Sequence, residues 1–237
     1  MPHRPEYVLL MAVAMAFLLP EPGRFNPFAL ARPAARVLAR DLPRSGRWAA
    51  PAGILLLAAI AAPALAVTWA LTYGLPTAVQ IATPEASPTL ALVIAAIALR
   101  LALWLPPAWT PRTQVRAKPT AAVACPSVAR LAADTAAPIL LFAFLGLYSV
   151  VAYRVALEIT RALPAAPDTD GLAVPSAWLA YAPAAPAQRV VVLLMAIAGR
   201  PRPATIPPPQ AELQPSGAQA AIAFAGTIAL ALLVTIW

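Results

Sequence analysis

Hydrophobic positions in this chain come in long blocks, not at the alternate or every-third-or-fourth spacing of half-buried strands and helices. Five blocks reach roughly the 17 to 25 predominantly apolar residues that a hydrocarbon core requires. They are residues 49–73, 88–105, 135–157, 177–199 and 218–237. A sixth, YVLLMAVAMAFLLP at 7–20, is shorter and reads as a thin first span, a re-entrant segment or a signal sequence, although LLPEPG contains no small-x-small cleavage site. The pattern predicts an all-α, polytopic membrane bundle of five to six transmembrane helices, with residues 1–237 forming a single transmembrane domain. Composition points the same way. With 61% hydrophobic and 11% charged residues and a mean hydropathy of +0.75, the chain has too little polar surface to coat a soluble globule. Its 29 prolines mostly flank the apolar blocks, where membrane helices tolerate them.

Charge then orients the blocks, because short loops rich in Lys and Arg stay cytoplasmic. Residues 21–48 carry Arg24, Arg32, Arg36, Arg40, Arg44 and Arg47; residues 106–134 carry Arg112, Arg116, Lys118 and Arg130; residues 200–217 carry Arg200 and Arg202. These three loops are expected inside. The connections 74–87 and 164–176 hold Glu85, Asp168 and Asp170 and no basic residue, so they are expected outside. The formal charge of +8 and the pI near 10.8 follow from this orientation and call for no nucleic-acid partner. The expected location is a bacterial-type inner (plasma) membrane, with the bilayer itself and other membrane subunits, or further copies of this chain, as partners.

The stretch RPAARVLARDLPR places Arg32, Arg36, Arg40 and Arg44 at i+4, one stripe on a helix beginning near Pro33. One reading is a lipid- or anion-binding surface on the inner leaflet, and the other is an ordinary positive-inside loop. Further along, TAAVACPSVARLAAD has helical periodicity that Pro126 interrupts. The run RPRPATIPPPQAELQPSG is expected to be extended, since consecutive prolines favour polyproline II.

Little is left for chemistry. One histidine, His3, and one cysteine, Cys125, cannot assemble a His/Cys metal site or a disulfide within one chain, and no glycine-rich stretch fits a phosphate cradle. No metal and no cofactor are expected. The remaining candidates are charges at membrane depth, each costing at least ~2.5 to 3.5 kcal/mol near the bilayer centre: Arg100, Arg154, Glu158 and Arg189. Arg154 and Glu158 stand at i,i+4, with Arg161 three residues further able to share the carboxylate. By the orientation above, that helix end faces outward, where Arg161 could reach the interface. The group reads either as structural pairing or as a polar site between helices.

The same stretch carries a family resemblance. APILLFAFLGLYSVVAYR, 137–154, resembles the segment of the cobalamin-biosynthesis CobD/CbiB membrane proteins in which Ala-Pro opens an apolar run and Tyr-Lys precedes Asn-Thr-Leu-Asp. SAWLAYAPAAPAQR, 176–189, is similar to that family's Ser-Ala-Arg-x-Asp-Asp-x-x-Asn-x-x-Pro-Ala-Arg segment. AQAAIAFAG, 218–226, resembles its Glu-Ala-Ala-x-Ala stretch, and PEPGRFNPF its Gly-Asp-Pro and His-Pro-Val opening. Against the family's acids, however, this chain places Cys125, Ala129 and Ala133, with Asp134 one residue out of register. Its Asn-Thr-Leu-Asp becomes Leu157, Glu158, Ile159 and Thr160, its Asp pair becomes Ala180 and Tyr181, and its later Glu becomes Gln219.

Amide synthesis driven by ATP needs acids to hold magnesium against the phosphates. Loss of those acids makes the chain look more like the AmpE-like branch of the superfamily, which keeps the apolar frame without the synthase residues. The resemblance implies a non-catalytic inner-membrane protein, a regulatory or accessory subunit binding other membrane helices or lipid. Two alternatives remain: a cobamide-pathway amide synthase of the adenosylcobinamide-phosphate type, for which Asp134, Glu158, Asp168 and Asp170 look dispersed and on the wrong side, and a small transporter with Arg100, Arg154, Glu158 and Arg189 along its path.

Overall fold

The computed structural model describes residues 5–18, 26–82, 87–103, 127–163, 171–198 and 217–236. Among these residues every regular element is helical. Helix α1 (Pro5–Leu18) begins on a proline, whose missing N–H costs nothing at a first turn, with Glu6 at the positive end of the helix dipole. A 3-10 turn at Pro27–Leu30 leads into the short α2 (Ala31–Leu38). Asn26 anchors this entry twice: its Oδ1 accepts from the Phe28 N–H at 3.0 Å, and its Nδ2 donates 3.1 Å to the carbonyl of Leu101, at the end of α5 (Ser87–Ala102).

Helix α3 (Ala49–Trp69) continues through a π turn (Ala70–Gly74) into α4 (Leu75–Ala82), so the expected block 49–73 is one long rod. A second π turn, Ala132–Ala136, joins α6 (Val128–Leu131) to α7 (Ala137–Leu145). Both π turns stand just ahead of a proline, Pro76 or Pro138. A proline in a helix clashes with the carbonyl four residues back, and widening the ladder to i→i+5 relieves the clash. The amides of Leu75 and Ala137 accordingly bond the carbonyls of Ala70 and Ala132. Helix α6 starts only after Pro126, capped by Ser127, whose Oγ accepts from the Arg130 N–H at 3.3 Å.

The block 135–157 does not cross as one helix. The chain reverses at Gly146, whose φ of 80° and ψ of −174° belong to a region that only glycine occupies readily, and α8 (Leu147–Ala162) returns beside α7. Ser149 Oγ reaches the Leu141 carbonyl at 3.2 Å, and Arg161 reaches Asp134, 27 positions earlier, at 2.7 Å; neither contact is possible along a straight helix. The tip meets the far end of α3: Thr72 Oγ1 lies 3.2 Å from Tyr148 Oη, and the rings of Tyr73 and Tyr148 stack at 6.5 Å. Gly146→Ala is expected to destabilise the protein by about 1 to 3 kcal/mol through backbone strain alone, since a Cβ there would meet no neighbour. A thermal midpoint in mild detergent equal to that of wild type would contradict it.

The last two helices are α9 (Val174–Ile197) and α10 (Gly217–Ile236). Four helical stretches, Ala49–Gln80, Val128–Leu145, Val174–Ile197 and Gln219–Ile236, are long and apolar enough to cross a membrane, with Pro5–Leu18 and Pro88–Ala102 shorter. Large apolar side chains such as Leu55, Trp69, Leu193 and Leu233 face outward, as they do where lipid is the solvent.

Two packing facts bear on the expected alternation of loops. The Gly171 N–H donates 2.9 Å to the carbonyl of Arg44, so the connection expected outside touches a loop expected inside. Both ends of α9 also lie at one end of the bundle. Its start crowds Gly53, near the beginning of α3, while Val191, toward its end, shares a core with Leu131 and Ala223. Its buried stripe, Ala180, Ala187, Val191 and Met195, shares a core with Val128–Ala137, Tyr153, Leu157, Ala220 and Ala223. A straight 24-residue helix reaches roughly 36 Å at about 1.5 Å per residue, so α9 lies across this end of the bundle instead of running the length of the hairpin. Its approach to α3 depends on Gly53, where a Cβ would come within 2.3 Å of the Leu172 carbonyl oxygen.

Candidate functional site

The hairpin gathers an ion-pair cluster at the end that α9 crosses. On α8, Arg154, Glu158 and Arg161 share one face by helical spacing. The π turn supplies Asp134 from the opposite arm. Arg154 Nη1 is 2.5 Å from Asp134 Oδ1, and its Nη2 is 3.1 Å from Glu158 Oε1. Arg161 makes the same two connections, Nη2 to Asp134 Oδ2 at 2.7 Å and Nη1 to Glu158 Oε1 at 3.4 Å. Two guanidiniums thus bridge the same two carboxylates in a closed ring. Arg32 of α2 adds its Nε to Glu158 Oε2, and Arg130 of α6 stands 3.6 Å from Asp134.

The acids are the inner members. Asp134 and Glu158 are 1% and 2% exposed and Arg154 is 6% exposed, whereas the side chains of Arg32 and Arg130 are about half in the open. Four guanidiniums surround two carboxylates, so the cluster keeps an excess of positive charge. Nε of Arg154 is buried without a hydrogen-bond partner among the described residues. The π turn also leaves one carbonyl to be satisfied from outside the helix. Pro138, five residues beyond Ala133, has no N–H to give its oxygen, and the hydroxyl of Tyr153 donates to it at 2.7 Å.

Of the expected site residues, Arg154 and Glu158 lie inside this cluster, and the other two lie apart. Arg100 is buried near the end of α5, with Nη1 donating 3.4 Å to the Leu103 carbonyl. Arg189 stands on the exposed face of α9. Arg161 reaches the carboxylates with its guanidinium while its side chain stays 30% exposed. Asp134 and Glu158, expected to be dispersed, share two arginines. Asp168, Asp170 and Cys125, and most of the basic loops 106–134 and 200–217, lie outside the described residues.

The expected stripe of four arginines is shorter than its spacing suggests. Helix α2 ends at Leu38, so Arg40 and Arg44 lie beyond it, and Arg32 is drawn to Glu158. The i,i+4 face that packs inward is Ala31, Ala35 and Ala39. Arg130 and Asp134 stand at i,i+4 in the sequence, but their meeting with the α8 triplet, and that of Arg32, is not disclosed by spacing; the glycine in the middle of an apolar run, Gly146, is the available signal.

Fold and cluster together define a multi-pass helical membrane protein that holds two buried carboxylates, Asp134 and Glu158, in an arginine clasp. Comparison with protein-family models, with curated proteins and with solved structures finds no match.

Proposed function

We propose that this chain is a non-catalytic, multi-pass inner-membrane protein of the CobD/CbiB and AmpE-like superfamily, a regulatory or accessory subunit that works by binding other membrane helices. One observation carries the reading: both carboxylates buried among the described residues are already bound by guanidiniums, Asp134 by Arg130, Arg154 and Arg161 and Glu158 by Arg32, Arg154 and Arg161. A carboxylate held this way has given up the lone pairs and negative field that a magnesium ion would require. The clasp closes the hairpin instead. Placement in the superfamily rests on the sequence resemblance; of the counterparts of the family's acids, Ala133 and Ala180 pack in one core with Leu157 and Gln219 is buried, whereas Ala129 and Tyr181 are exposed. Exposed apolar surface on α3 and α9, including Leu55, Val67 and Leu193, offers contact area to neighbouring helices. The basic end of the bundle faces the cytoplasm in this reading, by the positive-inside rule.

The test is native mass spectrometry of protein extracted from its own membrane in mild detergent, paired with complementation of cells that lack the authentic cobamide-pathway synthase. A stoichiometric membrane partner and no growth is the expected result. Growth supported by the wild-type chain would overturn the non-catalytic assignment, and a lone protomer under every gentle extraction would overturn the accessory role.

A further inference from the structure

The loop between α1 and α3 carries a surface that the clasp does not use. Ala31 and Ala35 turn α2 toward the bundle, which leaves Arg36 and Val37 on its outer side, with Arg40 exposed just past its end. Arg44, Arg47 and Trp48 continue the exposed surface up to the start of α3, and the guanidinium of Arg47 lies 5.5 Å from the centre of the Trp48 ring. Asp41 is the sole acid in residues 27–48, against five arginines. Val37 is 57% and Trp48 62% exposed. Cations alone would suit any polyanion, but cations interleaved with outward aliphatic and indole side chains suit a surface that is anionic outside and apolar a few ångströms in. The start of α9 is bonded to this loop through Gly171 and Arg44, and its outward Trp178 and Tyr181 bring further residues of the kind that settle at headgroup level.

We infer that Arg36, Arg40, Arg44 and Arg47, with Val37 and Trp48, form an acidic-phospholipid binding surface, the guanidiniums pairing with headgroup phosphates while Val37 and Trp48 enter the acyl boundary. The inference rests on the membrane reading above but not on any partner subunit, and its test uses the isolated protein.

Wild-type protein is reconstituted in nanodiscs of equal phosphatidylglycerol and phosphatidylcholine, released, and its retained lipids counted by native mass spectrometry. Phosphatidylglycerol should be enriched at least about fivefold, the order that a single basic residue confers near an anionic surface. Replacing the four arginines with glutamine should bring the enrichment below about twofold. These side chains lie outside the clasp, so the variant's thermal midpoint should match wild type; should it not fold, the wild-type preference must still fall as salt is raised, because exposed charges are screened. Equal retention of the two lipids by wild type, a preference that survives the fourfold replacement, or one that is insensitive to salt would overturn the inference. Abolition of the preference by millimolar inorganic phosphate would point to a phosphate site and overturn it also. Failure in any of these ways leaves the accessory-subunit reading to its own experiment.

Discussion

Asp134→Asn is expected to destabilise the folded protein by about 3 to 5 kcal/mol, the cost of removing one member of a buried ionic group and stranding the others. Asp134 is the charged link between the two arms of the hairpin. Without its charge, Arg154, 6% exposed, keeps only Glu158 on its own helix, and Arg161 loses its 2.7 Å contact. Replacing Arg154 with Gln in the same chain should recover part of the loss, since the uncompensated cation goes with it. Glu158→Ala should behave less simply than an isolated i,i+4 pair would suggest, because Arg154 and Arg161 also hold Asp134 and the effects within the ring are not additive. Thermal unfolding in mild detergent reads all four proteins, with the exposed Arg36→Gln as a surface control expected within about 0.5 kcal/mol of wild type. A loss for Asp134→Asn no larger than that control would mean that the clasp does not hold the hairpin.

Cysteines at Ser45 and Val174, in a Cys125→Ser background, should both react with membrane-impermeant maleimide from one face of the membrane, and one at Gln80 from the other. The effect is nearly all-or-none. Ser45 and Gly171 are held together through the Arg44 carbonyl, and Val174 is exposed three residues on, whereas Gln80 lies beyond the end of α3 that meets the hairpin tip. Reaction of the cysteine at 174 from the face opposite that at 45 would restore α9 as an ordinary crossing with residues 164–176 outside.

How far the fold was legible depended on the length scale of the signal. Helix-forming apolar blocks at 7–20, 49–73, 88–105, 177–199 and 218–237 reappear as α1, α3, α5, α9 and α10 with ends shifted by a few residues, because block hydrophobicity is a property of each segment by itself. The block 135–157 misled for the same reason: hydropathy does not register direction, and the φ of one glycine decides whether the chain continues or returns. The rule that basic loops stay inside depends on charge alone, so a loop carrying Asp168 and Asp170 without a basic residue was read as outside. Contact between Gly171 and the Arg44 carbonyl brings the described end of that connection beside one of the basic loops.

For the site, spacing along one helix disclosed Arg154, Glu158 and Arg161 as mutual neighbours, since i,i+3 and i,i+4 adjacency is local geometry. Asp134, Arg32 and Arg130 come from other elements, and no periodicity relates them to α8. What the sequence by itself determined is the helical class, the membrane character and the local charge triplet, each a consequence of burying apolar residues within a run or of the helical repeat. What only the tertiary structure decided is that the run folds back at Gly146 and that Asp134 closes onto the triplet. It also decided that α2 delivers Arg32 to Glu158, because a buried charge must find its counterion in space, wherever along the chain that counterion happens to be.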